Sequence, residues 1–278
     1  MDERMIKNLV REGYGKIALR NDSCCLPMAS CCQAAWRAEE AARRIGYTDE
    51  EIGGVPQGAN LGLGCGNPVA LSSLKPGETV LDLGSGAGFD CFLAARQVGP
   101  EGRVVGVDMT PEMIERARKN AEAGGYRNVE FRLGEIENLP VPDEFADAVI
   151  SNCVINLAPD KGRVFKEACR VLKPGGRIMV SDIVLKRDLP DPIRNSAEAY
   201  LGCVAGAVGK EDYLEAMKAA GFGDITVLEE TPFPLQILGE DPAVKAMIED
   251  SGVAQEQWRM LGESVVSIKV RALKPRGD

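Results

Sequence analysis

Short apolar runs alternate with amphipathic stretches in the middle of the chain, between residues 79 and 184. The apolar runs are typical of buried strands, and the stretches between them have the three-to-four-residue periodicity of helices. Such an alternation predicts a parallel sheet with helices on both faces. The predicted strands are Thr79–Leu83, Arg103–Asp108, Val129–Leu133, Phe145–Ser151 and Arg177–Val184, and the predicted helices are Phe89–Val98, Glu112–Ala123 and Lys161–Leu172.

Two more strands are predicted near the carboxyl end of the chain, at Asp224–Glu229 and Ser264–Leu273. They flank a helix expected near Pro242–Ser251, so we expect them to form an antiparallel hairpin at the sheet edge. Residues 190–221 are predicted to be mostly helical. The fold class is therefore α/β, a doubly wound, seven-stranded and mostly parallel sheet with a helical cap after the fifth strand.

The first 70 residues do not follow this alternation and are predicted to form an N-terminal, cysteine-rich helical extension. A charged helix is expected over residues 1–20, then a loop with two cysteine pairs, a helix over 36–45, and a glycine- and proline-rich irregular segment over 48–70. Residues 71–278 are assigned to the α/β domain, with a substrate-covering insertion at about 188–221. The paired cysteines are Cys24, Cys25, Cys31 and Cys32.

Composition narrows the function classes. The 278 residues are 45% hydrophobic and 27% charged, with a net charge of −9, which argues against non-specific nucleic-acid binding. No apolar run approaches the ~18 residues of a membrane span. The charged N-terminus lacks the apolar core of a secretion signal, so we expect a cytoplasmic protein.

Histidine and cysteine usage is more specific. The chain has no histidine, which excludes Ser-His-Asp hydrolase chemistry and histidine-ligated zinc. It has nine cysteines, and because this number is odd they cannot all be paired in disulfides within the chain. Because cytoplasmic thiols stay mostly reduced, thiol chemistry or soft-metal binding has to be considered.

A glycine-rich turn joins the first predicted strand to the following helix, in the sequence Asp82-Leu83-Gly84-Ser85-Gly86-Ala87-Gly88. Glycines permit a tight turn and close approach of a ligand, and the helix start behind them favours a carboxylate or phosphate. Asp108 ends the next strand, twenty-four residues after Gly84, where it can accept both hydroxyls of a ribose. A plain turn with extra glycines is the alternative. The GxGxG spacing disfavours NAD-type dehydrogenases.

The stretch Thr79–Val184 resembles class I S-adenosylmethionine methyltransferases. Three motifs carry the resemblance: Val-Leu-Asp-Leu-Gly-Ser-Gly-Ala-Gly, Val-Val-Gly-Val-Asp-Met and Leu-Lys-Pro-Gly-Gly. The resemblance implies that S-adenosylmethionine is the cofactor. It also implies that Asp82 and the backbone of Gly84, Ser85, Gly86 and Gly88 hold its methionine end, that Asp108 holds the ribose, that Met109 flanks the adenine, and that Glu135 and Ile136 contact the adenine edge.

Three cysteines are expected near this cofactor site. Ligands of open α/β sheets bind beyond the carboxyl ends of the strands, and Cys153 directly follows the fourth strand. Cys65 lies in the irregular segment before the first strand, and Cys203 lies in the helical stretch after the fifth. The pattern permits the three to converge but does not prove it. Cys91 and Cys169, within predicted helices, are interpreted as small core residues.

The whole chain from about residue 6 to residue 273 resembles arsenite S-adenosylmethionine methyltransferases. The shared features are Tyr14–Ala18, the paired cysteines, Leu63–Pro68, Gly134–Pro140, Ser151–Asn156 and Gly202–Gly206. The resemblance implies that Cys65, Cys153 and Cys203 bind trivalent arsenic and that the early cysteines assist in capture or disulfide exchange. It also implies methyl transfer to arsenite, with thioredoxin or glutathione as reductant.

Two alternatives remain open from the sequence. A C- or O-methyltransferase of a small organic acceptor, such as a quinone precursor, would show the same sheet and cofactor motifs. A thiol-rich metal-binding protein would use the CC-x5-CC cluster for zinc, although CxxC pairs with the usual zinc spacing are absent.

Overall fold

A computed structural model of the chain describes residues 2–19, 38–232 and 264–277. The paired cysteines Cys24, Cys25, Cys31 and Cys32 and the predicted helix near Pro242–Ser251 lie outside the described residues. Among the described residues, no helix combines the length and the apolar character that crossing a bilayer requires.

Seven strands form one sheet in the order β3-β2-β1-β4-β5-β7-β6. Strand β7 runs antiparallel to both of its neighbours, and the other strand pairs are parallel. The predicted doubly wound, mostly parallel sheet is confirmed. The strands are β1 Thr79–Leu83, β2 Arg103–Asp108, β3 Val129–Leu133, β4 Ala146–Asn152, β5 Leu172–Leu185, β6 Gly223–Pro232 and β7 Val265–Leu273.

The last two strands form an antiparallel pair at one edge of the sheet, as predicted. β7 lies between β5 and β6, so β6 is the edge strand on this side of the sheet and β3 is the edge strand on the other. The burial pattern explains the order, since six of the nine β7 residues that pair with β5 are buried, whereas β6 is mostly exposed. An apolar strand is stabilised by neighbours on both sides, while a polar strand tolerates an edge.

Helices cover both faces of the sheet and one end of it. α7 and α10 pack on one face, where the Phe165 and Tyr213 rings meet edge to face with centroids 5.2 Å apart. α2, α5 and α6 cover the opposite face around Phe92. The helices are α1 Glu3–Leu19, α2 38–44, α3 Asp49–Gly53, α4 Pro68–Leu71, α5 Phe89–Val98, α6 Pro111–Ala123, α7 Lys161–Val171, α8 Asp191–Arg194, α9 Ala197–Leu201 and α10 Lys210–Ala219.

A third hydrophobic cluster lies beyond the carboxyl ends of the strands. It joins Val10 of α1, Ile183 of β5 and the α9 region to the three cysteines Cys65, Cys153 and Cys203. In a parallel sheet this end collects the loops that follow each strand, so residues distant in sequence meet there. The candidate functional site lies between this cluster and the glycine-rich turn.

Candidate active site

The glycine-rich turn is held tightly against β2. The backbone N–H groups of Gly84 and Ser85 both donate to the carbonyl of Val107, at 2.8 and 3.0 Å. Gly84 has φ +69°, and a Cβ atom at this position would lie 2.3 Å from Cγ2 of Val154. Both the left-handed backbone and the close contact therefore require glycine.

The substitution Gly84→Ala is expected to destabilise the fold more than Gly125→Ala. Gly125 has the same φ of +69° but no heavy atom within 4 Å of an added Cβ. The left-handed backbone costs about 1–2 kcal/mol in both variants. The clash with Val154 adds about 1–3 kcal/mol at Gly84 only. Chemical denaturation of both variants measures the difference, and equal losses would contradict the close contact.

Asp108 ends β2 and orients the turn with both carboxylate oxygens. Oδ2 accepts the Gly86 N–H at 3.0 Å, and Oδ1 accepts the Thr110 N–H at 2.8 Å. Burial raises the pKa of Asp108, and the backbone hydrogen bonds oppose that shift. Since each oxygen keeps a lone pair, the carboxylate can also accept hydroxyl groups from the adjoining cavity.

Two further buried carboxylates line the same cavity. Asp82 accepts a hydrogen bond from the Cys91 thiol at 3.1 Å. Asp90 accepts from the Tyr47 hydroxyl at 2.6 Å and from the Asn152 amide at 3.0 Å. Burial raises the pKa of Asp82 well above its usual range and that of Asp90 to about 6. A positively charged ligand beside them would offset this cost. The sequence interpretation of Cys91 as a core residue missed its bond to Asp82.

The cavity encloses about 230 Å³ along the ends of β1, β2 and β4. The Ser85 hydroxyl, which lines it, is buried without a hydrogen-bond partner among the described residues, as expected of a group that awaits a polar ligand. The residues expected to bind a cofactor that line it are Asp82, Gly84, Ser85, Gly86, Asp108, Met109 and Ile136.

Two residues that the sequence assigned to the cofactor do not line the cavity. Gly88 instead allows close packing, because a Cβ there would lie 2.8 Å from both Phe92 and Phe131. The Glu135 carboxylate is bound by Lys7 at 2.8 Å and lies 3.6 Å from Arg11. The structure therefore places neither residue on the cavity wall.

Helix α1 forms a wall of the cavity that sequence reasoning did not assign. Lys7, Val10 and Tyr14 line it. The Tyr14 hydroxyl donates to the carbonyl of Leu201 at 3.1 Å, which joins α1 to the segment that carries Cys203. Lys7 also lies 3.2 Å from Glu137, a buried residue that lines the cavity. The three- and four-residue spacing of Lys7, Val10 and Tyr14 places them on one helix face, but it does not specify what that face contacts.

The three cysteines expected to act together lie in one buried cluster. The Cys203 thiol donates to the carbonyl of Cys153 at 2.8 Å, and the Cys65 thiol donates to the carbonyl of Ser181 at 3.4 Å. All three are buried, and Cys153 and Cys203 line the cavity whereas Cys65 does not. The convergence that the sequence only permitted is present in the fold.

Two of these cysteines have a strained backbone. Cys153 has φ +57° and Cys203 has φ +63°, within the left-handed region that residues with a Cβ rarely adopt. Each such conformation costs about 1–3 kcal/mol and persists only where surrounding contacts impose it. Here the Cys153 N–H donates to Ser181 at 2.8 Å and the Cys203 N–H to Tyr200 at 2.9 Å. The strain supports a role for both thiols beyond packing.

The Cys65 and Cys153 thiols are favoured in their protonated form. A hydrogen bond with Cys203 raises the pKa of Cys153 well above its usual range, with smaller contributions from Cys65 and burial. Burial raises the pKa of the Cys65 thiol. A cluster of neutral thiols is best suited to a neutral ligand that releases neutral molecules as it binds, because no net charge then enters the buried site.

Asn152 holds Cys65 in the cluster, a role that the sequence did not reveal. Its Oδ1 accepts the Cys65 N–H at 3.0 Å, and its Nδ2 donates to the carbonyl of Gly66 at 2.8 Å. Asp182 was also missed, although it is a fully buried carboxylate in an apolar strand. A polar residue at such a position was the available sequence signal. Cys169 is half-buried against one face of the sheet, in agreement with the packing role predicted for it.

The sequence is similar to known methyltransferases. A family model described as a methyltransferase domain matches residues 74–221. The arsenite methyltransferase of Halobacterium salinarum is 45% identical over 287 residues, which cover 100% of this chain and 68% of that protein. The arsenite methyltransferase of Aquipseudomonas alcaligenes is 37% identical over 233 residues, which cover 81% of this chain and 64% of that protein. The chain thus spans about two thirds of the length of these curated relatives.

The fold is similar to that of a solved enzyme with a related sequence. The crystal structure of an arsenic(III) S-adenosylmethionine methyltransferase from Chlamydomonas reinhardtii aligns with a TM-score of 0.63 at 36% identity. The alignment covers 85% of this chain and 74% of that one.

Proposed function

Since the chain belongs to the arsenite methyltransferases, a family with the class I methyltransferase fold, we propose that it transfers a methyl group from S-adenosylmethionine to trivalent arsenic. The observation that carries the proposal is the buried cluster of Cys65, Cys153 and Cys203 at one end of the cavity lined by Asp82 and Asp108. The proposed soft-ligand site would therefore adjoin the proposed nucleoside site.

The residues of the cavity fit S-adenosylmethionine. Asp108 would accept the ribose hydroxyls, and Met109 and Ile136 offer apolar surface for the adenine. The backbone of Gly84 to Gly86, the Ser85 hydroxyl and Asp82 would hold the amino-acid end, whose ammonium complements the Asp82 carboxylate. Gly88 and Glu135 would act indirectly, through packing of the turn and through the ion pair with α1.

The thiols would bind arsenite by exchange of neutral groups. Arsenite is uncharged as As(OH)₃, so the three S–H protons leave with its three hydroxides as water, and arsenic becomes bound to Cys65, Cys153 and Cys203. Soft thiolate ligands suit this thiophilic element. The raised pKa values of Cys65 and Cys153 do not hinder such an exchange, because no net proton is released.

The protein's main contribution to methyl transfer is to position the reactants. S-adenosylmethionine, when bound, would supply a sulfonium methyl group for attack by the arsenic lone pair, and the C–S bonding electrons would remain on sulfur. Cys153 and Cys203, on the cavity wall, would direct arsenic toward that methyl group. Near-attack geometry of this kind supplies up to about 7–11 kcal/mol of barrier reduction. No general base is required, in agreement with a chain that lacks histidine.

The alternatives from the sequence are not favoured. A methyltransferase for an organic acceptor would not require three buried thiols from distant segments, two of them on strained backbone. A thiol-rich metal-binding protein would not require the cavity lined by Asp82 and Asp108. The deciding experiment incubates reduced protein with arsenite and S-adenosylmethionine. Methylated arsenic in the products supports the proposal, and its absence despite cofactor binding would refute it.

We also propose that cysteine thiols return arsenic to the trivalent state. Methyl transfer uses the arsenic lone pair, a formal two-electron oxidation to As(V). Two cysteine thiolates would supply two electrons by forming one S–S bond, and thioredoxin or glutathione would reduce that disulfide. The pairs Cys24–Cys25 and Cys31–Cys32 are the proposed donors and lie outside the described residues. The proposed chemistry requires free thiols, so we propose a reducing compartment such as the cytoplasm.

A single turnover without external thiol is expected to consume two free thiols for each methyl group transferred. The count follows from the two-electron reduction of arsenic by one disulfide. The number of free thiols is titrated in protein denatured without reductant, before and after the turnover. Unchanged thiol numbers alongside trivalent methylated arsenic would exclude the cysteines as electron donors.

The affinity for S-adenosylmethionine is expected to rise several-fold as pH increases through about 6, the pKa to which burial raises Asp90. Ionised Asp90 attracts the sulfonium charge, and protonation below this pH removes the attraction. Tyr47, Asn152, Asp82 and Glu51 are the other groups that act on Asp90. Calorimetric titrations between pH 5 and pH 8 would measure the change. S-adenosylhomocysteine, without the sulfonium charge, is the control, and an equal dependence for both would contradict the assignment.

A further inference from the structure

A second set of ligand atoms lies at the inner end of the thiol cluster. The sulfur atoms of Cys65 and Cys153 and a carboxylate oxygen of Asp182 all lie within 4.8 Å of one another, and all three residues are buried. The three come from different parts of the fold: the segment before α4, the residue after β4, and β5. Only Cys153 of the three lines the cavity.

The carboxylate of Asp182 is oriented by three donors. Its Oδ1 accepts hydrogen bonds from the Asn156 amide and the Ile183 N–H, each at 2.9 Å. Its Oδ2 accepts one hydrogen bond, from the Tyr213 hydroxyl at 3.0 Å. Oδ2 therefore keeps a lone pair for another ligand. Donors of this kind fix the direction of a metal-binding carboxylate.

We propose that Cys65, Cys153 and Asp182 form a binding site for a soft divalent cation, with Cd²⁺ or Zn²⁺ as the fitting ions. Such ions take thiolate and carboxylate ligands in tetrahedral geometry. Binding would break the two S–H bonds, release two protons to solvent, and leave a fourth position for Cys203 or water. Lys161 lies within electrostatic range of Asp182 and would offset part of the excess negative charge.

The site makes the divalent cation a dead-end competitor of the substrate. It would occupy two of the three thiols proposed to bind arsenic. Unlike trivalent arsenic, Cd²⁺ and Zn²⁺ have no lone pair that can attack a methyl group, so the bound ion is not methylated. Arsenic would use three thiols and no carboxylate. The substitution Asp182→Asn is therefore expected to weaken binding of the divalent cation and to leave binding of arsenite unchanged.

The test is a titration of Cd²⁺ into the reduced 278-residue chain in which Cys24, Cys25, Cys31 and Cys32 are replaced by serine, with thiolate-to-metal charge-transfer absorbance as the readout. We expect one Cd²⁺ per chain. Asp182→Asn should weaken its binding by at least about 10-fold, and arsenite binding should be unchanged. Asp143→Asn, at an exposed carboxylate, is the control and should alter neither.

Two outcomes would overturn the inference. Parental Cd²⁺ affinity in Asp182→Asn would show that the carboxylate is not a ligand. Parallel loss of Cd²⁺ and arsenite binding would show that Asp182 only supports the fold. The inference does not depend on the proposed substrate: Cd²⁺ binding that requires Asp182, in a protein that binds no arsenite, would refute the proposed function and leave the cation site standing.

Discussion

Each of the substitutions Cys65→Ser, Cys153→Ser and Cys203→Ser is expected to lower the rate of arsenite methylation by at least about 100-fold, the loss that accompanies misplaced reactants. A serine hydroxyl is a hard ligand and does not replace a thiolate on arsenic. With two thiols left, arsenic would not be held in one orientation toward the methyl group. Chromatographic separation of arsenic species after a timed reaction measures the loss.

The cysteine substitutions need a control that removes a thiol elsewhere. Cys169→Ser is suitable, because Cys169 is half-buried in α7 and belongs to a different cluster from the three. We expect it to keep parental activity. The three active-site variants should keep their S-adenosylmethionine affinity. Full activity in any one of them would remove that thiol from the proposed arsenic site, and loss of cofactor binding in all three would indicate a structural role instead.

The substitution Asp108→Asn is expected to weaken S-adenosylmethionine binding by about 10–100-fold, the range for a lost hydrogen bond to a charged group. The amide has one acceptor oxygen, whereas the carboxylate uses two oxygens for Gly86 and Thr110 and would also receive the ribose hydroxyls. Arsenite binding should persist, because the thiols are untouched. Isothermal titration with each ligand measures both effects.

Glu115→Gln is the matched control for Asp108→Asn, since Glu115 is an exposed carboxylate on α6 paired with Lys119 at 2.6 Å. It should leave the cofactor affinity unchanged. Parental affinity in Asp108→Asn would exclude the ribose contact. Loss of both cofactor and arsenite binding would show that the turn at Gly86 supports the whole site. The cysteine variants are thus expected to impair the arsenic site alone, and Asp108→Asn is expected to impair cofactor binding alone.

Local patterns were sufficient to predict the sheet and the cofactor turn. In β1, Val80, Leu81 and Leu83 have no exposure to solvent, as a short apolar run predicts for a strand covered on both faces. The left-handed turn at Gly84 and the position of Asp108 at a strand end are also properties of a few consecutive residues, whereas the close contact between Gly84 and Val154 is not. The apolar run, the glycine-rich turn and the aspartate at the strand end can be read from the sequence because each depends on local residue pattern.

The tertiary structure decided which buried polar groups meet. Cys65 and Asn152 are eighty-seven residues apart, and their hydrogen bond depends on how the irregular segment returns over the end of β4. Tyr14 reaches Leu201 only because α1 lies across the cavity, and no periodicity in α1 specifies that position. Residue pattern determines burial and turn geometry, whereas the path of the chain between elements determines contacts. The sequence by itself therefore determined the fold class and the cofactor turn, and only the folded chain brought together the three thiols and Asp182.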